Sequence, residues 1–286
     1  MIDIHTYPIM VKELIDSDPN LWKVITKFFG FYFPPQPLSI FLMEMDEAGI
    51  QKVALLPLDC TVRYNCRIVS NEQVAELSDK NPRFIGFSSV DPRSKDAPRM
   101  LERAVVGLGL KGLKLNPALQ GFFINDREHA FPVYQTCSEL KIPLLIHCGM
   151  SWAPTAQARY AHPLMLEEVA QEFPNLRIII AHFGWPWVSD AVMLAIKYPN
   201  IYLDTAILYS GTPADAYRKV LGEEVGLDVI ERSLRDKILF GSNYPRVDIR
   251  RSVRGIQSLK INETLKKKIM SENALQILSK TEGENL

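Results

Sequence analysis

Residues 143–149 read Pro-Leu-Leu-Ile-His-Cys-Gly, a short apolar run that ends on His147. The apolar residues are continuous rather than alternating, which is typical of a parallel strand covered on both faces. The same form recurs at residues 178–182, where Ile-Ile-Ile-Ala-His ends on His182. Two buried strands that each end on a histidine predict a parallel sheet with polar chemistry at its carboxyl edge.

Six further runs of this kind lie on either side of the pair. They cover residues 2–5, 53–56, 84–87, 112–115, 201–204 and 238–242. Amphipathic stretches long enough for helices separate the runs, at 38–47, 71–80, 97–107, 131–140, 163–172, 190–197 and 215–221. This alternation of strand and helix is typical of a closed barrel or of an open doubly wound sheet.

The position of the polar residues favours the barrel. Histidine, lysine and aspartate fall at the carboxyl ends of the runs, where barrel enzymes assemble their sites from several strands. The first run is followed by Thr6-Tyr7-Pro8, whereas a dinucleotide-binding sheet would place a GxGxxG turn there. We therefore predict an α/β fold, a (β/α)8 TIM barrel, as a single domain over residues 1–286. The aromatic, proline-rich segment around 16–37 reads as an insertion after strand one that could form a lid or a homodimer contact.

Composition limits the classes of partner. Lysine plus arginine and aspartate plus glutamate number 33 each, so no net charge draws the chain to nucleic acid or an anionic membrane. The lysine-rich residues 260–268 fit a solvated helix face better than a nucleic-acid patch.

No stretch approaches the roughly 20 apolar residues of a membrane span, and no leader pattern opens the chain. The four cysteines form no CxxC pair. We expect a cytoplasmic protein with a small-molecule substrate.

Three histidines are the strongest candidates for chemistry. His5, His147 and His182 end strands one, five and six, so a closed barrel would bring them together at its mouth. Imidazole is the commonest protein ligand for zinc and similar ions, although a lone buried histidine is more often structural. Lys114 at the end of strand four and Asn243 at the end of strand eight would line the same bowl.

Several motifs resemble a known family, the amidohydrolase-related branch of the amidohydrolase superfamily. They are Ile-Asp-Ile-His5, Gly-Leu-Lys114-Leu-Asn-Pro, Pro-Leu-Leu-Ile-His147-Cys-Gly, Ile-Ile-Ile-Ala-His182-Phe-Gly, Ile-Leu-Phe-Gly-Ser-Asn243-Tyr-Pro and Ser-Glu-Asn273-Ala-Leu. The resemblance implies a metal-dependent hydrolase type of barrel with a divalent ion, usually zinc. Its ligands would be a His-x-His pair on strand one, a histidine on strand five and an aspartate on strand eight, and strand six adds a histidine that polarises the substrate.

Two positions depart from that family pattern. Tyr7 stands in place of the second histidine of His-x-His, and Asn243 replaces the strand-eight aspartate. Tyrosine binds a divalent ion well only after losing its proton, and neutral asparagine offers neither charge nor a base. The resemblance thus implies a metal held by His5, His147 and His182 with Tyr7 or Asn243 as a weak fourth ligand, and catalytic roles for His182, Asn243 and Lys114.

Three functions stay open. In the first, the chain is a hydrolase or carboxy-lyase with a weakened metal site. Decarboxylation or another lyase reaction suits that site, since a metal that only polarises the substrate needs no strand-eight base. In the second, the chain is a metal-independent, lactonase-like hydrolase. In the third, a catalytically silent barrel binds a ligand or partner.

Arginines and aromatic side chains after the strands indicate the substrate class. Guanidinium groups bind carboxylates bidentately and aromatic faces cover planar rings, although single loop arginines are usually solvated. We predict a small carboxylated, cyclic substrate bound by six residues: Arg63, Asn116, Arg159, Trp185, Tyr209 and Arg246.

Overall fold

A computed structural model describes residues 1–206 and 211–279 of the chain. Within those residues eight parallel strands form a barrel, and all eight overlap the predicted runs. Their bounds are β1 Ile2–Thr6, β2 Lys52–Leu55, β5 Phe84–Gly86, β6 Leu113–Leu115, β7 Leu144–Ile146, β8 Ile178–Ile180, β9 Ile201–Asp204 and β10 Ile238–Leu239, with a hairpin of β3 Leu58–Cys60 and β4 Cys66–Ile68 between β2 and β5.

Backbone hydrogen bonds close the sheet into a ring. Strands pair in the order β1-β2-β5 and β6-β7-β8-β9-β10. The amide of Lys114 donates to the carbonyl of Ser88 at 2.7 Å, which joins β5 to β6. The amide of Ile4 donates to Phe240 O at 3.0 Å and that of Asn243 donates to His5 O at 2.9 Å, which joins β1 to the end of β10. The predicted (β/α)8 TIM barrel is confirmed.

Helices cover the outside of the barrel. Two of them match the prediction residue for residue, Leu38–Glu47 and Asn71–Lys80. The second begins at a capping box in which Ser70 Oγ accepts from the Gln73 amide and the Gln73 side chain accepts from the Ser70 amide. The other α-helices are Lys12–Ser17, Pro19–Val24, Thr61–Tyr64, Ala97–Glu102, Pro117–Gln120, Ala130–Glu139, Leu166–Glu172, Val188–Lys197, Pro213–Tyr217, Leu227–Arg232, Ile249–Gln257, Glu263–Lys267 and Asn273–Ser279.

Shorter helical turns extend or link these helices. Wide, π-type turns span Ile25–Phe29, Arg103–Gly107, Arg218–Gly226 and Lys268–Glu272, and 3₁₀ turns span Ala158–Tyr160, Pro163–Met165 and Ala181–Gly184. Asn273, from the last of the sequence motifs, has a structural role. Its Nδ2 donates to the carbonyls of Arg235 and Ile238 at 3.0 and 2.8 Å and so ties the final helix to β10.

The predicted strands did not include the β3–β4 hairpin, and the last strand is shorter than predicted. β3 and β4 pair antiparallel and enclose the one-turn helix Thr61–Tyr64. Strands of three residues carry too little pattern to be distinguished from a loop. The last strand ends at Leu239 rather than at residue 242, since the chain beyond it leaves the ladder and reaches a positive φ of 61° at Asn243.

The insertion after strand one folds over the carboxyl end of the barrel. We call residues 25–31 the strap. Phe29 and Phe31 of the strap are buried, and the Phe29 ring packs edge-on against Tyr7 with 5.1 Å between centroids. Tyr32 and Phe33, just beyond it, are 70% and 65% exposed. The prediction of one domain over the whole chain and of a homodimer through this segment stays a prediction.

None of the helices in the described part of the chain is both long enough and apolar enough to span a bilayer.

Candidate active site

A hydrogen-bonded row of three side chains connects β1 to β9. Asp204, the last residue of β9, lies 2.7 Å from His5 through Oδ2 and Nδ1. The carboxylate accepts, so His5 carries its proton on Nδ1 and its Nε2 is left to accept from the Tyr7 hydroxyl at 3.2 Å. All three residues are buried. The row therefore fixes the tautomer of His5 and points its Nε2 away from Asp204.

A second row connects β8 to β7. His182 Nδ1 donates to the carbonyl of Ala206 at 2.7 Å, so its Nε2 accepts from His147 Nδ1 at 3.1 Å. That assignment leaves His147 Nε2 unprotonated, and it is a buried atom without a hydrogen-bond partner among the described residues. The His5 and His182 rings lie 4.8 Å apart, so the two rows meet. Asp204 Oδ1 also accepts from the His182 amide at 2.7 Å.

Burial keeps the three imidazoles neutral. It lowers the pKa of His5 and of His147 well below the usual range, and it lowers the pKa of His182 to about 3. The positive charge of nearby Lys114 acts in the same direction on each of them. Neutral imidazole is the form that binds a metal.

Lys114 is a buried amine beside the histidines. Its Nζ makes no hydrogen bond to a described residue and lies 5.9 Å from the centroid of the Tyr7 ring. Burial lowers the pKa of Lys114 to about 7, although the Asp204 carboxylate partly opposes that shift. The amine can therefore gain or lose a proton near neutral pH.

Asp3 ties the first strand to the last. Its Oδ1 accepts from the amides of His5 and Ser242, each at 3.0 Å. Burial raises the pKa of Asp3 to about 7 against the effect of these hydrogen bonds. The side chain holds the backbone on both sides of the barrel closure, directly behind His5.

Backbone strain marks the same end of the barrel. His182 and Phe183 have φ values of 60° and 52°, and Asn243 has a φ of 61°. Side chains other than glycine adopt this left-handed region at a cost, and such residues gather at functional sites. These left-handed residues follow β8 and β10, where the chain leaves the barrel strands, and His182 and Asn243 both line the cavity at this end of the barrel.

The residues present fit a divalent metal ion. His5, His182 and Asp204 each offer a donor atom, and these atoms lie within 4.8 Å of one another. The neutral imidazoles and the unpartnered His147 Nε2 supply nitrogen ligands, while Asp204 supplies negative charge. Asp204, at the end of β9, is thus a buried carboxylate among these donor atoms, whereas Asn243 offers none.

A small cavity opens onto these groups. We call it the histidine cavity; it measures about 20 Å³, close to the space that one water molecule needs. Phe29 of the strap forms part of its wall. The cavity is lined by Tyr7, Phe29, Asn116, His147, Ser151, Trp152, His182, Asn243 and Arg246.

The structure brings together most of the predicted metal and catalytic residues. His147, His182, Tyr7 and Asn243 line the histidine cavity, and His5 hydrogen bonds to Tyr7 just behind it. The roles assigned to these residues stay predictions.

The predicted substrate residues divide into two groups. Asn116 and Arg246 line the cavity, although Asn116 also caps the turn Pro117–Gln120 by accepting from the Leu119 amide. Three others are absent from the lining of the cavity: Arg63 donates to Leu119 O, Arg159 is exposed against Tyr160, and Trp185 accepts through its carbonyl from the Met150 amide. Tyr209 lies outside the described residues.

Asp204 and Phe29 lie at the site but were not among the predicted site residues. Asp204 ends a buried strand in the run Ile-Tyr-Leu-Asp, which is the signal that singled out His147, so its position could have identified it. Phe29 had no such signal, because it belongs to an insertion whose path over the barrel depends on tertiary packing.

Curated relatives act on carboxylated compounds. A γ-resorcylate decarboxylase of Polaromonas sp. is 25% identical over 281 aligned positions, gaps included, and the match covers 83% of this chain and 82% of the relative. A 2-keto-4-carboxy-3-hexenedioate hydratase of Sphingobium sp. is 31% identical over 205 aligned positions, gaps included, and the match covers 60% of this chain and 56% of the relative.

Solved structures share the fold over its whole length. An uncharacterised TIM-barrel protein of Bordetella bronchiseptica superposes with a TM-score of 0.78 at 24% identity and 99% coverage of both chains. A dihydroxybenzoic acid decarboxylase of Polaromonas sp., with bound manganese and the inhibitor 2-nitroresorcinol, superposes with a TM-score of 0.64 at 22% identity, over 97% of this chain and 96% of that chain.

The metal in that second structure is manganese, whereas the sequence motifs implied zinc.

The family profile described as Amidohydrolase matches residues 2–280, which covers every barrel strand and the three site histidines. The chain therefore belongs to the amidohydrolase family.

Proposed function

We propose that the protein is a metal-dependent carboxy-lyase that removes a carboxylate from a small aromatic acid. The observation that carries this proposal is the pairing of a buried His/Asp cluster with Asn243 where a carboxylate base would stand. Hydrolysis needs a base to activate water, and asparagine cannot accept that proton. Decarboxylation needs no activated water.

Three side chains would hold the metal. His5, His182 and Asp204 supply donor atoms, and His147 Nε2 is a further nitrogen without a hydrogen-bond partner among the described residues. A bound divalent ion would supply Lewis-acid polarisation of the substrate oxygens. Manganese is the ion to test first, since a relative binds it.

Lys114 is suited to supply the proton that replaces the carboxyl group. When the bond between ring carbon and carboxyl carbon breaks, CO2 leaves and the electron pair stays on the ring carbon. The Lys114 ammonium then donates a proton to that carbon, and the amine regains a proton from water. A pKa of about 7 places this group near the best value for proton transfer at neutral pH.

The cavity lining supports a small planar acid. Tyr7, Phe29 and Trp152 present rings to the site, and Arg246 and Asn116 present polar groups that suit a carboxylate and a hydroxyl. The Polaromonas relatives are named for dihydroxybenzoic acids, so γ-resorcylate is the first substrate to test.

A hydratase is the second candidate. The Sphingobium relative at 31% identity adds water to a carboxylated compound, as its name states. The same metal cluster would serve that reaction, but it requires a base for water. Lys114, which is unprotonated above its pKa of about 7, is the group available for that role.

The test measures metal content and product together. Protein purified with manganese is analysed for metal per chain, then incubated with γ-resorcylate while CO2 release and loss of the acid are followed. We expect near-stoichiometric metal and resorcinol as product, with both lost in His5→Ala. Metal-free protein that still releases CO2 would contradict the metal role. Stoichiometric metal with no turnover of γ-resorcylate or related ring acids, but with hydration of an unsaturated dicarboxylate, would favour the hydratase.

A further inference from the structure

A second, larger cavity lies beside the histidine cavity. We call it the outer cavity; it measures about 360 Å³ and is lined by Trp152, Arg246 and Arg251 together with residues 211–213, 247 and 248. Small-molecule sites start at about 300 Å³, so this space admits a ring acid.

Two side chains form a wall common to both cavities. Trp152 and Arg246 line the histidine cavity and also the outer cavity. The histidine cavity, at about 20 Å³, has no room for a ring acid in this arrangement of its walls. The outer cavity adjoins it and is the one of the two that is large enough for a ring.

The charge in the outer cavity suits an anion. Arg251 is exposed and forms no ion pair with a described residue. Asp248 is the acidic side chain in the lining, against Arg246 and Arg251. Arg250 Nε lies 3.0 Å from Asp248, although Arg250 also pairs with Glu44 and Glu47, and the amides of Arg250 and Arg251 donate to Asp248. The Arg250 guanidinium accordingly holds the pKa of Asp248 below its usual range.

Arg246 links the outer cavity to the strap. Its guanidinium donates to the carbonyls of Phe29 and Gly30 and lies 4.6 Å from the centroid of the Phe29 ring. A carboxylate is a stronger acceptor for guanidinium than a neutral carbonyl. A carboxylate in the outer cavity would compete with the strap for Arg246 and so loosen Phe29 over the histidine cavity.

We propose that the outer cavity is an entry site for the substrate carboxylate, with Arg251 as its recognition residue and Arg246 as the latch of the strap. This inference rests on the proposed function, since it takes its ligand class, small aromatic carboxylates, from there. Trp152, which is 52% exposed, forms a flat wall against which the ring stacks.

Direct binding tests the entry site without requiring turnover. Benzoate is titrated into manganese-loaded protein and into metal-free protein, with heat and tryptophan fluorescence as readouts, and benzamide serves as the neutral analogue of the same shape. We expect benzoate to bind both forms more tightly than benzamide. Arg251→Gln should weaken benzoate binding about fivefold, the effect of one partly exposed guanidinium–carboxylate pair. Arg254→Gln, on the same helix and also exposed, is the matched control and should bind as the native protein does.

The outcomes separate the entry site from the proposed function. Arg251-dependent binding of benzoate without turnover of any ring acid supports the entry site and contradicts the carboxy-lyase. Turnover of γ-resorcylate with an unchanged KM in Arg251→Gln contradicts the entry site and leaves the carboxy-lyase in place. Equal binding of benzoate and benzamide, or no binding of benzoate at millimolar concentration, also overturns the entry site.

Discussion

The histidine network and the strap lie on opposite sides of one small cavity, and they are held in different ways. His5, His147, His182 and Asp204 lie on or just after barrel strands, are buried, and are joined by hydrogen bonds that define each tautomer. The strap belongs to an insertion and is held through Phe29 and Gly30, by contacts with a ring and an arginine. The polar cluster is therefore fixed by the barrel strands and its hydrogen bonds, whereas the position of the strap depends on side-chain packing between an insertion and the barrel.

The largest effect should come from the network. Asp204→Asn keeps the size of the side chain but removes the charge that holds the His5 and His182 rows together. We expect about a 100-fold fall in kcat/KM, as for the loss of a carboxylate that orients a metal ligand, together with weaker manganese binding. Activity and metal per chain are measured side by side. Asp79→Asn, on the exposed face of the helix Asn71–Lys80 and outside the cavity, is the control, and equal activity in the two variants would remove Asp204 from the site.

The pH profile sharpens the assignment of Lys114. Since burial lowers its pKa to about 7 and the protonated form donates, the rate falls as pH rises through 7. We expect kcat/KM to drop about tenfold per pH unit above that point. Lys114→Met should lose most activity, and any residual rate should lack this limb. A native profile that is flat from pH 6 to 9 would exclude Lys114 as the proton donor.

Asn243→Asp tests whether the asparagine that follows β10, in place of the family's aspartate, weakens the metal site. Aspartate tolerates the positive φ of 61° at this position, and it adds a carboxylate to the lining of the histidine cavity. We expect manganese affinity to rise about tenfold, a modest gain for one added charged ligand. Competition with a metal-sensitive dye measures that affinity. Asn116→Asp, in the same lining but at the end of β6, is the matched comparison, and an equal gain there would indicate a general charge effect.

The smallest effect should come from the strap. Phe29→Leu retains an apolar cover but removes the aromatic face that Arg246 contacts at 4.6 Å. A single cation–π contact at the edge of the core contributes about 0.5–1 kcal/mol, so we expect the strap to open about threefold more readily. Amide hydrogen exchange over residues 25–31 measures that opening, and kcat should change far less than in Asp204→Asn. Exchange as slow as in the native protein would show that the Arg246 contact does not hold the strap.

Sequence reasoning located the strands and the site histidines because both depend on local pattern. Continuous apolar runs that end on His147 and His182 predict buried strands, and parallel strands end at one edge, so their terminal side chains must meet. The directions of the Arg63 and Arg159 side chains could not be predicted in this way, because a loop residue after a strand can turn inward or outward. Here both turn to neighbouring backbone or rings rather than to the cavity.

Strand periodicity and strand-end position are local properties, so the sequence predicted the barrel and the convergence of His5, His147 and His182, and its motifs indicated the family. Folding is what brings Asp204 within hydrogen-bond distance of His5 and sets Phe29 in the wall of the histidine cavity. It also placed Arg246 between the strap and the outer cavity. These are contacts between residues far apart in the chain, and their geometry depends on how the closed barrel and the insertion pack together.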